Sequence, residues 1–163
     1  MGFADELSTQ LLDLRAQPPI AAALRRASSQ ATEHYAYPYL ARWWGDKSYL
    51  RAPVLAIGGL AGQFRDVAQA DRSAGAFAAD IVLSQRFARN GVEHRLMLAQ
   101  GGDIDVLVRV LRALLAMGQR SGLGVDWADV ARTCLEWDTP ATERRRRARR
   151  RLLENFYVQL EEQ

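Results

Sequence analysis

Within "ERRRRARRRLLENFY" (143–157), arginine fills seven of the eight positions from Arg144 to Arg151. A guanidinium is planar, permanently charged and carries forked N–H groups, so it meets phosphate or carboxylate oxygens with two parallel hydrogen bonds. The chemistry open to this run is anion recognition. Three readings compete: a disordered cationic tail, a solvated helix face, and a working surface. On a helical wheel Ala148, Leu152, Leu153, Phe156, Tyr157 and Leu160 gather on one side. Arg144, Arg147, Arg150 and Arg151 point to the other side or its flank, while Arg145 and Arg149 fall near the apolar side and must reach past its edge. An amphipathic helix with a docked side argues against the tail. Like charges one turn apart repel, and Glu143 and Glu154 are too few to neutralise them. A concentration of charge that costs stability favours a counter-anion over plain solvation. Nucleic acid, an acidic protein surface and anionic lipid all qualify.

Other arginines form smaller groups. Arg25 and Arg26 stand at the end of a short helix, where cations complement the helix dipole; capping and phosphate binding both remain open. Arg86 and Arg89, in "RFARNGVEHR" with Arg95, are read as one turn apart and form either a second basic patch or a solvated surface. Asp105, Arg109 and Arg112 share a narrow polar strip, with Asp105 and Arg109 spaced for an ion pair. Trp43, Trp44, Trp127 and Trp137 could stack on bases, but core packing is the expected role in a helical domain.

Catalytic constellations are not found. His34 and His94 each follow a glutamate, without an HExxH motif or clustered ligands, so no metal or cofactor is expected. Cys134 lies on an apolar helical stripe and is expected to be packed, not nucleophilic. "AIGGLAGQ" lacks the preceding strand and the GK[ST] ending of a phosphate loop. The chain is not read as an enzyme.

The elements that must position these residues are helical throughout. Phe3, Leu7, Leu11 and Leu14 mark one face of a helix over 3–16. A short helix with Pro19 in its first turn follows, then an aromatic segment ending at Gly45. A helix over 49–64 is expected to be softly broken at Gly58-Gly59, and 65–75 reads as an exposed loop and the best lobe boundary. Helices are expected at about 76–89, 92–100 and 103–118, and another begins after the cap Asp126. The last should start at Thr139 and Pro140 and run to about Leu160. No segment alternates with period two, so the fold class is all-α: one domain over 1–163, either a single compact multi-helix bundle or two lobes of about 1–75 and 76–163 sharing a core.

Composition agrees. At 163 residues and 48% hydrophobic, the chain is long and apolar enough for a real core. Net charge is only +3, and removing the seven arginines of 144–151 leaves 15 basic against 19 acidic residues, or −4. The basic character is therefore local. A lone cysteine allows no internal disulfide and suits a reducing compartment, no signal peptide is read at the N-terminus, and no apolar run approaches membrane-spanning length. A cytoplasmic, non-membrane protein is expected.

Several marks in order resemble a known family. They are "LRRA" (24–27), "YPYLARWW" (37–44), "LSQRFARNGVEHRLMLAQGGDIDVLVRVLRALL" (83–115), "VDWADVARTCLEWD" (125–138) and "LLENFY" (152–157). Together they resemble the small-subunit (CasB) family of the type I-E CRISPR surveillance complex, Cascade. The resemblance implies a non-catalytic all-helical protein in antiviral defence. Its partners would be other Cascade subunits, a second copy of itself, guide RNA, and the target and displaced DNA strands. Carried onto this chain, the nucleic-acid-binding positions would be Arg25, Arg26, Arg86, Arg89, Arg109, Arg112 and, from the run, Arg144, Arg145, Arg147, Arg150 and Arg151. The run is denser than the family pattern requires.

Overall fold

The computed structural model describes residues 2–162, so Met1 and Gln163 of the expected domain lie outside the described residues. The described residues are all-α, as the periodicity indicated. The helices are α1 (Phe3–Arg15), α2 (Pro18–Arg25), the single turn α3 (Tyr37–Leu40), α4 (Arg51–Gln63), α5 (Ala74–Leu83), α6 (Arg89–Gln100), α7 (Ile104–Arg120), α8 (Trp127–Trp137) and α9 (Thr142–Glu161). Short 3-10 turns link α2 to α3 and α3 to α4.

α5 lies along α9, α2 lies on α4, and both α1 and α4 pack on α8, while α6 leans on α7. Leu7 and Leu11 of α1, Ile57 and Leu60 of α4, Leu107 and Leu114 of α7, Trp127 and Trp137 of α8, and Leu152 and Phe156 of α9 belong to one contiguous core. Side-chain caps begin α5, α7 and α8: Ser73 accepts from Ala76 N, Asp103 from Val106 N, and Asp126 from Ala128 N.

Three local expectations are corrected, in α4, α5 and α9. α4 runs unbroken through Gly58 and Gly59, because these glycines admit neighbours instead of ending the helix. A Cβ on Gly59 would meet Ser28 Oγ at 2.7 Å, and one on Gly62 would meet the backbone nitrogen of Arg25 at 2.7 Å. The segment 65–73 is largely exposed but is pinned. Val67 is fully buried, and Ala70 N donates to Val125 O while Val125 N donates to Ala68 O, both at 3.0 Å. α5 stops at Leu83, with Gln85 in the left-handed region at φ 64°, six residues before the expected end. α9 begins at Thr142 and not at Thr139 and Pro140. The segment between α8 and α9 is held elsewhere: Thr139 N donates to Glu136 O, and the Asp138 side chain accepts from Ile104 N through Oδ2 at 2.7 Å.

Close approach of α5 and α9 depends on Gly75. A Cβ there would run into the Leu152 carbonyl oxygen and would sit 2.8 Å from both Asn155 Cβ and Phe156 N. These are α9 backbone and Cβ atoms, which cannot swing aside. Gly75→Ala gains about 0.5–1 kcal/mol of helix propensity but forces the helices apart, at a typical overpacking cost of about 1–3 kcal/mol. A net fall in urea midpoint is expected, and an unchanged or raised midpoint would contradict this packing.

Candidate nucleic-acid interface

α9 is fastened by its own arginines. Arg149 reaches the ends of two neighbouring helices: Nη1 donates to Gln100 O at 2.7 Å, and Nη2 donates to Trp137 O and pairs with Asp138 Oδ1, both at 3.1 Å. Its guanidinium lies 4.6 Å from the Trp137 ring centroid. Arg151 Nε lies 3.5 Å from Asp129 Oδ1 and its Nη2 donates to Thr133 Oγ1 at 3.4 Å. Asp129 is buried and also accepts from Ala74 N, at the start of α5, at 2.8 Å. Arg145 is half-buried and donates a long bond to Thr139 O at 3.4 Å.

The rest of the run faces solvent. Arg144, Arg146, Arg147 and Arg150 are all exposed. At about 100° per residue these four fall within an arc of about 160°, opposite buried Leu152. Arg146 pairs with Glu143 at 3.5 Å and Arg150 with Glu154 at 3.8 Å, but all four of these side chains are more than 60% exposed. Such pairs contribute little and yield readily to a stronger anion. Arg144 and Arg147 have no carboxylate within ion-pair distance among the described residues. The run thus divides into an anchoring set and an open set. Arg146, passed over in the sequence reading, joins the open set, while Arg151 is turned inward by Asp129, a tertiary partner that the wheel does not contain.

Arg25 and Arg26 are exposed at the end of α2 and line a shallow cleft of about 510 Å³ with Arg65. Arg26 also stacks 4.6 Å over the Tyr35 ring. Arg65 had no signal in sequence spacing; it arrives because Gly62 lets α2 and α4 touch. No carboxylate lines this cleft.

Arg86 and Arg89 do not share a helix. Arg86 follows the left-handed Gln85 and donates to Arg120 O at 2.7 Å, capping the end of α7. Arg89 opens α6 and pairs with Glu93 at 3.1 Å. The Tyr157 hydroxyl donates to the other Glu93 oxygen at 2.6 Å. That bond, helped by Arg89, holds the Glu93 carboxyl below its ordinary range, and the same bond pushes the Tyr157 hydroxyl up. Arg109 is exposed and forms no ion pair with Asp105, contrary to the spacing, and Arg112 Nε donates to Gln63 Oε1 at 3.2 Å.

Tryptophans divide as well. Trp127 and Trp137 are core, with indole N–H groups donated to Val67 O and Gly102 O. Trp43 and Trp44 are half-buried at the edge of the core. Cys134 is buried, and burial pushes its thiol up to about 12. The native protein should therefore resist a thiol-specific aromatic disulfide at pH 8 and react only after denaturant is added. Rapid native labelling would contradict the packing around α8.

Among the described residues, no group of three or more His, Cys, Asp or Glu side chains could hold a metal ion, and no helix is long and apolar enough to cross a membrane. Comparison with known families supplies what this geometry alone does not. The model of the family described as CRISPR-associated protein Cse2 matches residues 21–157. The chain belongs to the Cse2 family. Its fold is similar to a chain in the structure of a CRISPR RNA-guided surveillance complex, pre-nicking, with a TM-score of 0.79 and 23% identity over 98% of this chain and 94% of that one. It is also similar to CasB from Thermus thermophilus, with a TM-score of 0.75 and 21% identity over 97% of this chain and 99% of that one. Comparison with curated proteins gives no match. The small-subunit resemblance read from the sequence marks agrees with the Cse2 family match.

Proposed function

We propose that this Cse2-family chain is the small subunit of a CRISPR RNA-guided surveillance complex, and that it holds nucleic acid without chemistry and without reading sequence. The open arginines of α9 carry this reading: Arg144, Arg146, Arg147 and Arg150 present cations across one exposed arc. Arginines in such an arc contact phosphates and offer almost nothing that distinguishes base edges. Exchange of a DNA duplex for a guide–target duplex is nearly balanced in energy. Modest contacts to the displaced strand, or to the guide and target, are therefore enough to tip it. The Arg25, Arg26 and Arg65 cleft is a second phosphate contact in this reading. Other subunits of the complex and a second copy of the chain are its protein partners, and avidity within that assembly offsets a weak isolated affinity.

The test is binding of purified chain to labelled single-stranded DNA, RNA and duplex over a salt series. Binding should be indifferent to sequence and fall steeply with salt, by about 0.7 log units per decade for each phosphate held on a single strand. Absence of binding even at low salt would overturn the reading and assign the arginine face to an acidic protein partner.

A further inference from the structure

A second cleft lies apart from the arginine face of α9. It opens between α4, α7 and the turns after α2, with a volume of about 310 Å³. That is at the lower end of small-ligand pockets, roughly 300–1,000 Å³. Its floor is aliphatic, built by Leu55 of α4 with Ile104 and Val108 of α7. The wall formed by Ser28 stands against α4 because Gly59 has no side chain.

The rim is polar, and its groups are prepared unequally. Arg51 is held by the Tyr37 hydroxyl and the Glu33 carboxylate, which together keep its guanidinium above its ordinary value. Arg112 is steadied through Nε by Gln63. Arg109 and Asp105 lie one turn apart without pairing, and Gln30 stands at the same rim. An apolar floor with a few converging polar groups is the general form of a site for a flat, polar-edged ligand. Cations beside it suit an attached phosphate. The carboxylate and amide suit the donor and acceptor edge of an unpaired base.

We infer that this cleft receives one unstacked nucleotide of a bound strand, with its base on the Leu55, Ile104 and Val108 floor and its phosphate on Arg109 and Arg112. The inference rests on the strand-binding reading above and adds a base contact to it. Unstacking becomes favourable when the base exchanges its neighbours for a walled apolar surface.

The test has two arms. In the first, the purified chain is titrated with adenosine monophosphate and, separately, with ribose 5-phosphate. Adenosine monophosphate should bind at least tenfold more tightly. Ala52→Trp, at an exposed position lining the cleft, should remove that preference, and Arg109→Ala should weaken both ligands. Equal binding of the two ligands, or no binding of either, overturns the inference. In the second arm, a single-stranded oligonucleotide carrying one 2-aminopurine is bound to the chain. Its fluorescence should rise as the base unstacks, and the rise should be lost in Ala52→Trp. Bound oligonucleotide without brightening overturns the cleft and leaves strand binding intact. Mononucleotide binding without oligonucleotide binding makes this a site for free nucleotides and overturns the strand-binding reading together with this inference. Unchanged urea midpoints in both variants exclude misfolding as the cause.

Discussion

Replacing Asp129 by alanine is expected to lower stability by about 3 kcal/mol, more than any other single change in the fastening of α9. The side chain is only 9% exposed, and it serves two helices at once. Oδ2 accepts from Ala74 N at 2.8 Å, satisfying one of the amides that α5 cannot bond internally. Oδ1 faces Arg151 at 3.5 Å and, more loosely, Arg132 at 3.9 Å. Removing the carboxylate leaves a buried N–H unpaired, which costs about 1–3 kcal/mol. It also strands Arg151, whose side chain is 23% exposed, so that part is discounted for solvent screening to about 1 kcal/mol. Asp129→Asn keeps an acceptor for Ala74 and loses only the charge, so it should cost about half as much. Urea denaturation of the two variants measures this difference. Equal losses for both would show that the ion pair, not the amide, dominates; a loss below about 1 kcal/mol in the alanine variant would contradict the hub.

The opposite pattern is expected when the open arginines are replaced together. Arg144→Ala, Arg146→Ala, Arg147→Ala and Arg150→Ala in one chain should leave stability unchanged or slightly raised. Alanine is the better helix former, and the substitutions relieve repulsion between arginines one turn apart. Strand affinity should nevertheless fall by about a hundredfold at 0.1 M salt. Four lost phosphate contacts remove counterion release worth about 2.8 log units per decade of salt, and neighbouring cations recover part of the loss. A comparison set, Arg149→Ala with Arg151→Ala, should do the reverse. It should unfasten α9 from Gln100, Trp137 and Asp129, lowering the urea midpoint substantially. Loss of stability from the open set, or of affinity without loss of stability from the anchoring set, would invert the division.

Much of this arrangement can be read from residue order. Asp126 and Asp103 stand just ahead of apolar helical stripes, and both cap helices. The apolar side of α9 follows its wheel, with Ala148, Leu152 and Phe156 buried. Arg149, expected to reach past the edge of that side, turns inward instead, because the Gln100 and Trp137 carbonyl oxygens at the ends of α6 and α8 accept from it. Buried Arg15 is legible too, since it extends the α1 stripe four residues after Leu11. It donates to Phe64 O and Val67 O and stacks on Trp127, joining α1 to α8.

What could not be read depends on partners far along the chain. Arg151 neighbours Arg147 on the wheel, and its tertiary partners Asp129 and Thr133 on α8 separate their fates. Gly58 and Gly59 look like helix breakers because sequence cannot distinguish a glycine that ends a helix from one that admits a neighbour. The spacing of Arg86 and Arg89 fits one helix, and nothing in it announces the left-handed Gln85 that precedes them. Arg65 joins Arg25 and Arg26 only through the contact of α2 with α4.

The central claim, that the exposed arc of α9 holds phosphates, is tested most directly by the salt dependence of single-stranded DNA binding in the unmodified chain and the four-alanine variant, measured in parallel. The account predicts that the variant's slope of log affinity against log salt is shallower by about 2.8, at about 0.7 for each of four phosphates. Parallel slopes for the two proteins would show that these arginines touch no phosphate and would contradict the account.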